Sequence, residues 1–369
     1  MRGAIAGGSE ARNDNSNYMT MQEIFQLSVK KGASDIHLVV DSPALLRIDG
    51  ELVPVEPKKV LLKKDIEQMI LPLLTEEQKK RFTADKELDF GYEDDNETRF
   101  RINLLYEKGN LGLVARVITD KIPTLEDLAM PKVVYDLLNL QQGLILVTGP
   151  TGCGKSSSLA AMINYINQQR SCSIVTLEDP IEFRFKHNKS VVIQRQLGND
   201  IISFADGLKH VLRQDPNVIM VGEMRDLETI GTTITLAETG HLVLATLHTY
   251  SAAQTIDRII DIFPPHQQTQ IRMQLSMTLA AVISQRLLVK TGGGRIAARE
   301  ILINTPAVSN LIRESKIAQI KTVIETSSKD GMESLDHNLK SLYDKKIITK
   351  EAAQAHMNNP ELLERFRII

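Results

Sequence analysis

The apolar residues along this 369-residue chain change rhythm once. Up to about Val117 the pattern is mixed. "MQEIFQLSVKKG" spaces its apolar residues three and four apart and stops at glycine, which predicts a helix. "DIHLVV" and "ALLRIDGELVPV" read as strands, the latter turning at Asp49-Gly50, a hairpin signal. "KKDIEQMILPLL" and "TEEQKKRFTADKE" return to helical spacing, and "FGYEDDNETRFRINLLYEKGNLGLVARVI" divides into three strands with polar turns. These elements predict a small α+β domain over 19–117. The Gly/Asn/Ser-rich residues 1–18 show no period and are expected to be a disordered extension.

Beyond Pro131 short apolar runs alternate with helical patterns. "GLILVTG", "SIVTLED", "SVVIQRQ", "VIMVGEM" and "HLVLATLH" have the continuous apolar character of buried parallel strands. The alternation predicts a doubly wound α/β core over 132–300, joined to the first domain by a linker at 118–131. "RLLVKTGGGRIAAREILI" predicts a hairpin around Gly292-Gly293-Gly294, and residues 301–369 read as mostly helical.

Composition narrows the class. With 42% hydrophobic and 24% charged residues the chain reads as an ordinary soluble protein. A net charge of -2 gives no reason to expect nucleic acid as a partner. The two cysteines, Cys153 and Cys172, are too few for a disulfide framework or a four-cysteine zinc site and suit a reducing cytoplasm. No run of eighteen apolar residues and no signal peptide is present, so a cytoplasmic location is expected, with docking on a membrane protein left open.

Gly149-x-x-x-x-Gly154-Lys155-Ser156, between an apolar run and a helical one, fits the P-loop pattern. Its glycines let backbone N–H groups converge on phosphates, and the following helix N-terminus adds partial positive charge. Lys155 would reach the β- and γ-phosphates, Ser156 would ligate Mg²⁺, and Thr151, Gly152, Cys153 and Ser157 complete the loop. Hydrolysis needs acids at nearby strand ends. "SIVTLEDPIEF" supplies Glu178, Asp179 and Glu182, and "VIMVGEMRD" supplies Glu223. His241 and His248 flank a strand seven residues apart, a spacing that argues against a shared metal. Arg101 and Arg116 on first-domain strands are either ordinary solvated arginines or groups that reach a nucleotide. The absence of an Asn-Lys-x-Asp guanine motif favours ATP over GTP.

The stretches "GPTGCGKSSSLAAMINYIN", "LEDPIEF", "VGEMRDLETI", "AETGHLVLATLHTYSAAQTIDRIIDIFP", "VISQRLL" and "GASDIHL" resemble the PilT-type ATPases, retraction motors of type IV pili within the type II/IV secretion ATPase superfamily. The resemblance runs from about Met19 to the C-terminus. It implies an N-terminal PAS-like α+β domain, a RecA-like P-loop ATPase domain with a helical C-terminal region, and a homo-hexameric ring. It places Lys155 and Ser156 in Walker A, makes Glu182 the catalytic glutamate, and makes Glu223 the Walker B acid and a Mg²⁺ ligand through water. Arg101, Arg116 and His248 join the catalytic set, with Glu178, Asp179, His241 and Arg213 as further site residues. It also implies ATP and Mg²⁺ as cofactors, an inner-membrane platform protein and a paralogous pilus ATPase as partners, and a peripheral place at the inner membrane face. Cys153, Ser157, Gln196, Gln214, Gly109, Val308 and Ser309 depart from the family pattern. An accessory PilU-like ATPase and a nucleotide-gated scaffold stay open as alternatives.

Overall fold

A computed structural model of the chain describes residues 19–48, 50–96, 98–118 and 121–363. Asp49 of the hairpin signal, the 1–18 extension and residues 364–369 lie outside the described residues. The chain divides into two compact units, Met1–Asp120 and Lys121–Ile369.

The first unit opens with α1 (Met21–Lys30), started by a reciprocal pair: Thr20 caps the Glu23 N–H and the Glu23 carboxylate returns to the Thr20 N–H. Strands β1 (Asp35–Leu38), β2 (Leu45–Ile48) and β3 (Glu51–Pro54) follow, then α2 (Lys63–Ile70) and α3 (Glu76–Asp85). Strands β4 (Glu87–Glu93), β5 (Arg99–Glu107) and β6 (Asn110–Ile118) complete it. The sheet order is β3-β2-β1-β6-β5-β4, with every pair antiparallel. One face is packed. Phe100, Ile102 and Leu104 alternate inward along β5 beneath Phe25 of α1, while Arg99, Arg101 and Asn103 take the other face.

In the second unit α4 (Lys132–Leu137) leads to β7 (Gly143–Thr148), α5 (Lys155–Gln169), β8 (Ser173–Glu178) and β9 (Val191–Gln196). Then come α6 (Phe204–Val211), β10 (Val218–Val221), α7 (Leu227–Glu238), β11 (Leu242–Leu247), α8 (Ala252–Asp261), α9 (Pro265–Thr278), β12 (Leu279–Val289) and β13 (Arg295–Ile303). Helices α10 (Pro306–Arg313), α11 (Ile320–Thr326), α12 (Leu335–Asp344) and α13 (Lys350–Gln354) end it. The order β13-β12-β7-β11-β10-β8-β9 is parallel except for the β12–β13 hairpin. Strands β7, β10 and β11 are buried along their whole length, as their unbroken apolar runs predict. Parallel pairing brings the C-terminal ends of β7, β8, β10 and β11 to one edge, where ligands of open α/β sheets bind. The C-terminal helices pack on the hairpin through Leu288, Ala298, Leu335, Leu339 and Ile348.

Candidate nucleotide site

The loop after β7 carries the fingerprint. Its backbone turns through positive φ at Gly149, Gly152 and Gly154 (143°, 78° and 89°). At Gly149 a side chain is also excluded by space, because a Cβ there would collide with the Gln285 carbonyl oxygen and with Cys153 Sγ. Gly154 is the N-cap of α5 and brings no side-chain cap, so the first N–H groups of the helix stay available for an anion. Thr151, Gly152 and Ser156 are exposed, Ser157 is half-buried, and Cys153 is buried. Burial pushes the Cys153 thiol up, which makes it a poor nucleophile. Lys155 is buried and its Nζ donates to the carbonyls of Gly149 (2.9 Å) and Pro150 (3.2 Å). Burial lowers its pKa, while the nearby charges of Glu223 and Glu182 favour its protonated form. A glycine cradle, an uncapped helix and a lysine held over the loop fit a phosphate chain.

Four of the expected acids converge on this edge. Glu223 follows β10, where Thr246 Oγ1 donates to the Gly222 carbonyl (2.5 Å) and the Met224 N–H to the Thr246 carbonyl (3.1 Å). Its carboxylate contacts Arg225 (2.7 Å) and His248 Nε2 (3.2 Å). Burial pushes the Glu223 pKa up, but the hydrogen bond and charge of Arg225, with His248 and Lys155, outweigh it and hold the carboxyl below its ordinary value. His248 Nδ1 lies 3.4 Å from Thr151 Oγ1, so this ring bridges Glu223 and the P-loop. Glu178, at the end of β8, is buried and accepts from Thr176 Oγ1 (2.6 Å) and Gln194 Nε2 (2.9 Å). Burial raises its pKa to about 7. Glu182 is half-buried in the following loop, its backbone N–H bonded to Glu178 and its charge felt by Lys155. Asp179 is exposed and lies within electrostatic reach of Arg225.

Two expected residues are not brought to this edge. His241 precedes β11, and its Nδ1 pairs with the Leu236 carbonyl (2.9 Å) at the far end of the strand from His248. Six strand residues at about 3.3 Å each separate the two, so length keeps them apart more than facing does. Arg213 is exposed on the 3₁₀ turn Leu212–Gln214, which leads into the N-terminal end of β10, the opposite edge of the sheet. One neighbour of the loop was not singled out by sequence reasoning: Gln285 on β12, 1% exposed, bonded to Cys153 and Ser158. The available signal was the polar triplet Ser284-Gln285-Arg286 inside an apolar strand.

In the first unit the two arginines are not scattered surface groups. Register places Arg47, Asp35, Arg116 and Arg101 in one row across β2, β1, β6 and β5. Arg116 Nε donates to Asp35 Oδ1 (3.0 Å), Arg47 lies 3.7 Å from the same carboxylate, and Arg101 lies 3.8 Å from Asp89. Arg101 and Arg116 are directly opposed across β5 and β6, and each has a carboxylate beside it, Asp89 for Arg101 and Asp35 for Arg116. No helix among the described residues is long and apolar enough to cross a membrane.

The family model for type II/IV secretion system protein matches residues 10–292. The type IV pilus retraction ATPase PilT of Pseudomonas aeruginosa is 45% identical over 348 residues, 93% of this chain and 99% of that protein. The type IV pilus ATPase PilU of the same organism is 38% identical over 342 residues, 92% and 89%. The crystal structure of the pilus retraction motor PilT with bound ADP superposes with a TM-score of 0.88 at 43% identity, covering 95% of this chain and 100% of that one.

Proposed function

The chain belongs to the type II/IV secretion system protein family, and we propose that it is a hexameric ATPase motor that hydrolyses ATP to power type IV pilus retraction and twitching motility. The observation that carries the enzymatic reading is the convergence of Lys155, Glu223, Glu182 and His248 on the mouth of a glycine cradle. In this reading the N–H groups of Gly152 to Ser157 bind the phosphates and Lys155 neutralises their charge. Ser156, and Glu223 through water, would hold Mg²⁺, which would supply charge neutralisation at the phosphates. Glu182 orients and deprotonates water. Glu178 supports the Glu182 turn, and His248 links Glu223 to the loop. Arg101 and Arg116 would add positive charge at the γ-phosphate in the transition state. The ring would act on an inner-membrane platform protein from the cytoplasmic face.

The identity to PilT exceeds that to PilU, which favours the primary motor over an accessory ATPase. Lys155→Ala is expected to abolish ATP turnover, and normal turnover in that variant ends the assignment. Glu182→Gln is expected to keep ATP binding and to lower kcat by about 10² to 10⁴. A retraction assay in a deletion strain complemented with this gene separates motor from scaffold: a scaffold restores pili without restoring movement.

A further inference from the structure

We infer that Gln285 is a positioning residue of the phosphate cradle, fixing the direction in which the loop presents its N–H groups. The inference deepens the nucleotide reading and rests on it. A loop that turns its N–H groups towards an anion must turn carbonyls the other way, because carbonyl and N–H of one trans peptide point in opposite directions. Those inward carbonyls need donors, since a buried carbonyl left without one is costly. Gln285 supplies one. Its Nε2 donates to the Cys153 carbonyl at 2.9 Å, 132 residues away in sequence. Holding that carbonyl inward aims the Gly154 N–H of the same peptide outward, to where the phosphates sit. The same amide is anchored at its other end, where Oε1 accepts from Ser158 Oγ in the first turn of α5 at 2.9 Å. A carbonyl can only accept, so the NH₂ end of the amide must face Cys153 and its oxygen Ser158, which determines its orientation.

The strand beneath reinforces the arrangement. One residue earlier, Ser284 Oγ and Thr148 Oγ1 are 2.8 Å apart across the parallel β12–β7 register. The backbone oxygen of Gln285 is also the nearer of the two atoms that forbid a side chain at Gly149. One residue of β12 thus touches the start of the loop, its last peptide and its helix. A space-filling residue would need only the volume; the two directed bonds set orientation.

The test uses the full chain with MgADP as probe and Gln285→Met, which keeps the volume and removes both bonds. The ADP dissociation constant is expected to rise about tenfold, with KM for ATP rising in step and kcat within about twofold of wild type. The ligand-free melting midpoint should fall by several degrees, as the two unpaired groups require. Wild-type ADP affinity in folded Gln285→Met overturns the inference, as does a kcat loss at unchanged affinity. Should Gln285→Met not fold, Gln285→Glu serves. It keeps the Ser158 bond, loses the donor to Cys153 and adds a negative charge, so a larger loss of ADP affinity is expected and wild-type affinity again overturns the inference. A wild-type chain that binds no ADP overturns the nucleotide reading itself, a result distinct from an unaffected variant.

Discussion

Glu178 shows how a single buried acid reports on the site. Its carboxyl is desolvated at the end of β8 and its pKa stands at about 7 against an ordinary 4.5. A raised carboxyl pKa means the folded chain binds the proton more tightly than the unfolded one. The contribution is therefore favourable at low pH and is lost as pH rises from about 4.5 to about 7. Glu178→Gln removes that slope. Urea unfolding at pH 5 and pH 8 should show the variant gaining about 2–3 kcal/mol relative to wild type between the two. Parallel curves for the two proteins would refute the shift. The sequence placed Glu178 at an acidic strand end but did not distinguish it from Asp179, because burial is settled by neighbours such as Thr176 and Gln194. The same limit applies at His241 and Arg213, which the sequence did not place and which lie at the edge of the sheet away from the P-loop.

Elements of the second unit are tied together by long-range polar contacts that no local pattern announces. Arg299 on β13 is 3% exposed, and its guanidinium donates to the carbonyls of Leu128 (2.9 Å) and Ala129 (3.2 Å). Burial lowers its pKa to about 10, still far above neutrality, so the group stays charged. The strand thereby fixes the turn at 125–130, where Ala129 has positive φ (49°). Arg299→Met should leave those carbonyls unpaired and cost about 1–3 kcal/mol. Hydrogen exchange at Ala129 and Met130 should accelerate, while exchange along β7 stays slow; unchanged protection at 129–130 would show that the arginine does not hold the turn. The elements themselves were largely legible. Uninterrupted apolar runs gave β7, β8, β10 and β11, and the glycine triplet gave the β12–β13 hairpin. The sheet order was not, because a short apolar run does not encode its neighbour.

At the scale of the molecule, each unit has its own core, and the residues proposed for hydrolysis come from both. The P-loop, Glu182, Glu223 and His248 belong to the second unit, Arg101 and Arg116 to the first. The division predicts a split between binding and turnover. Changing both arginines to alanine should leave ADP affinity within about threefold of wild type and lower kcat by about 10³ or more. Isothermal titration and a steady-state phosphate-release assay read the two quantities, and equal losses in both would place the arginines outside catalysis. The P-loop was legible because its chemistry is local to ten residues. The arginine row was not, since it needs the register of four strands.

The β12–β7 pairing also has a consequence in time. Thr148 and Ser284 are neighbours in the sheet and 136 residues apart in the chain. A ribosome working at about 5–20 residues per second delivers the finished glycine motif roughly 7 to 27 s before the strand that moulds it. Until then the nascent chain carries the whole motif and only part of its scaffold. ATP, abundant during translation, stabilises only states able to bind it. It should therefore begin to stabilise the fold only once β12 has joined β7, so that the nucleotide's contribution to folding arrives late in synthesis.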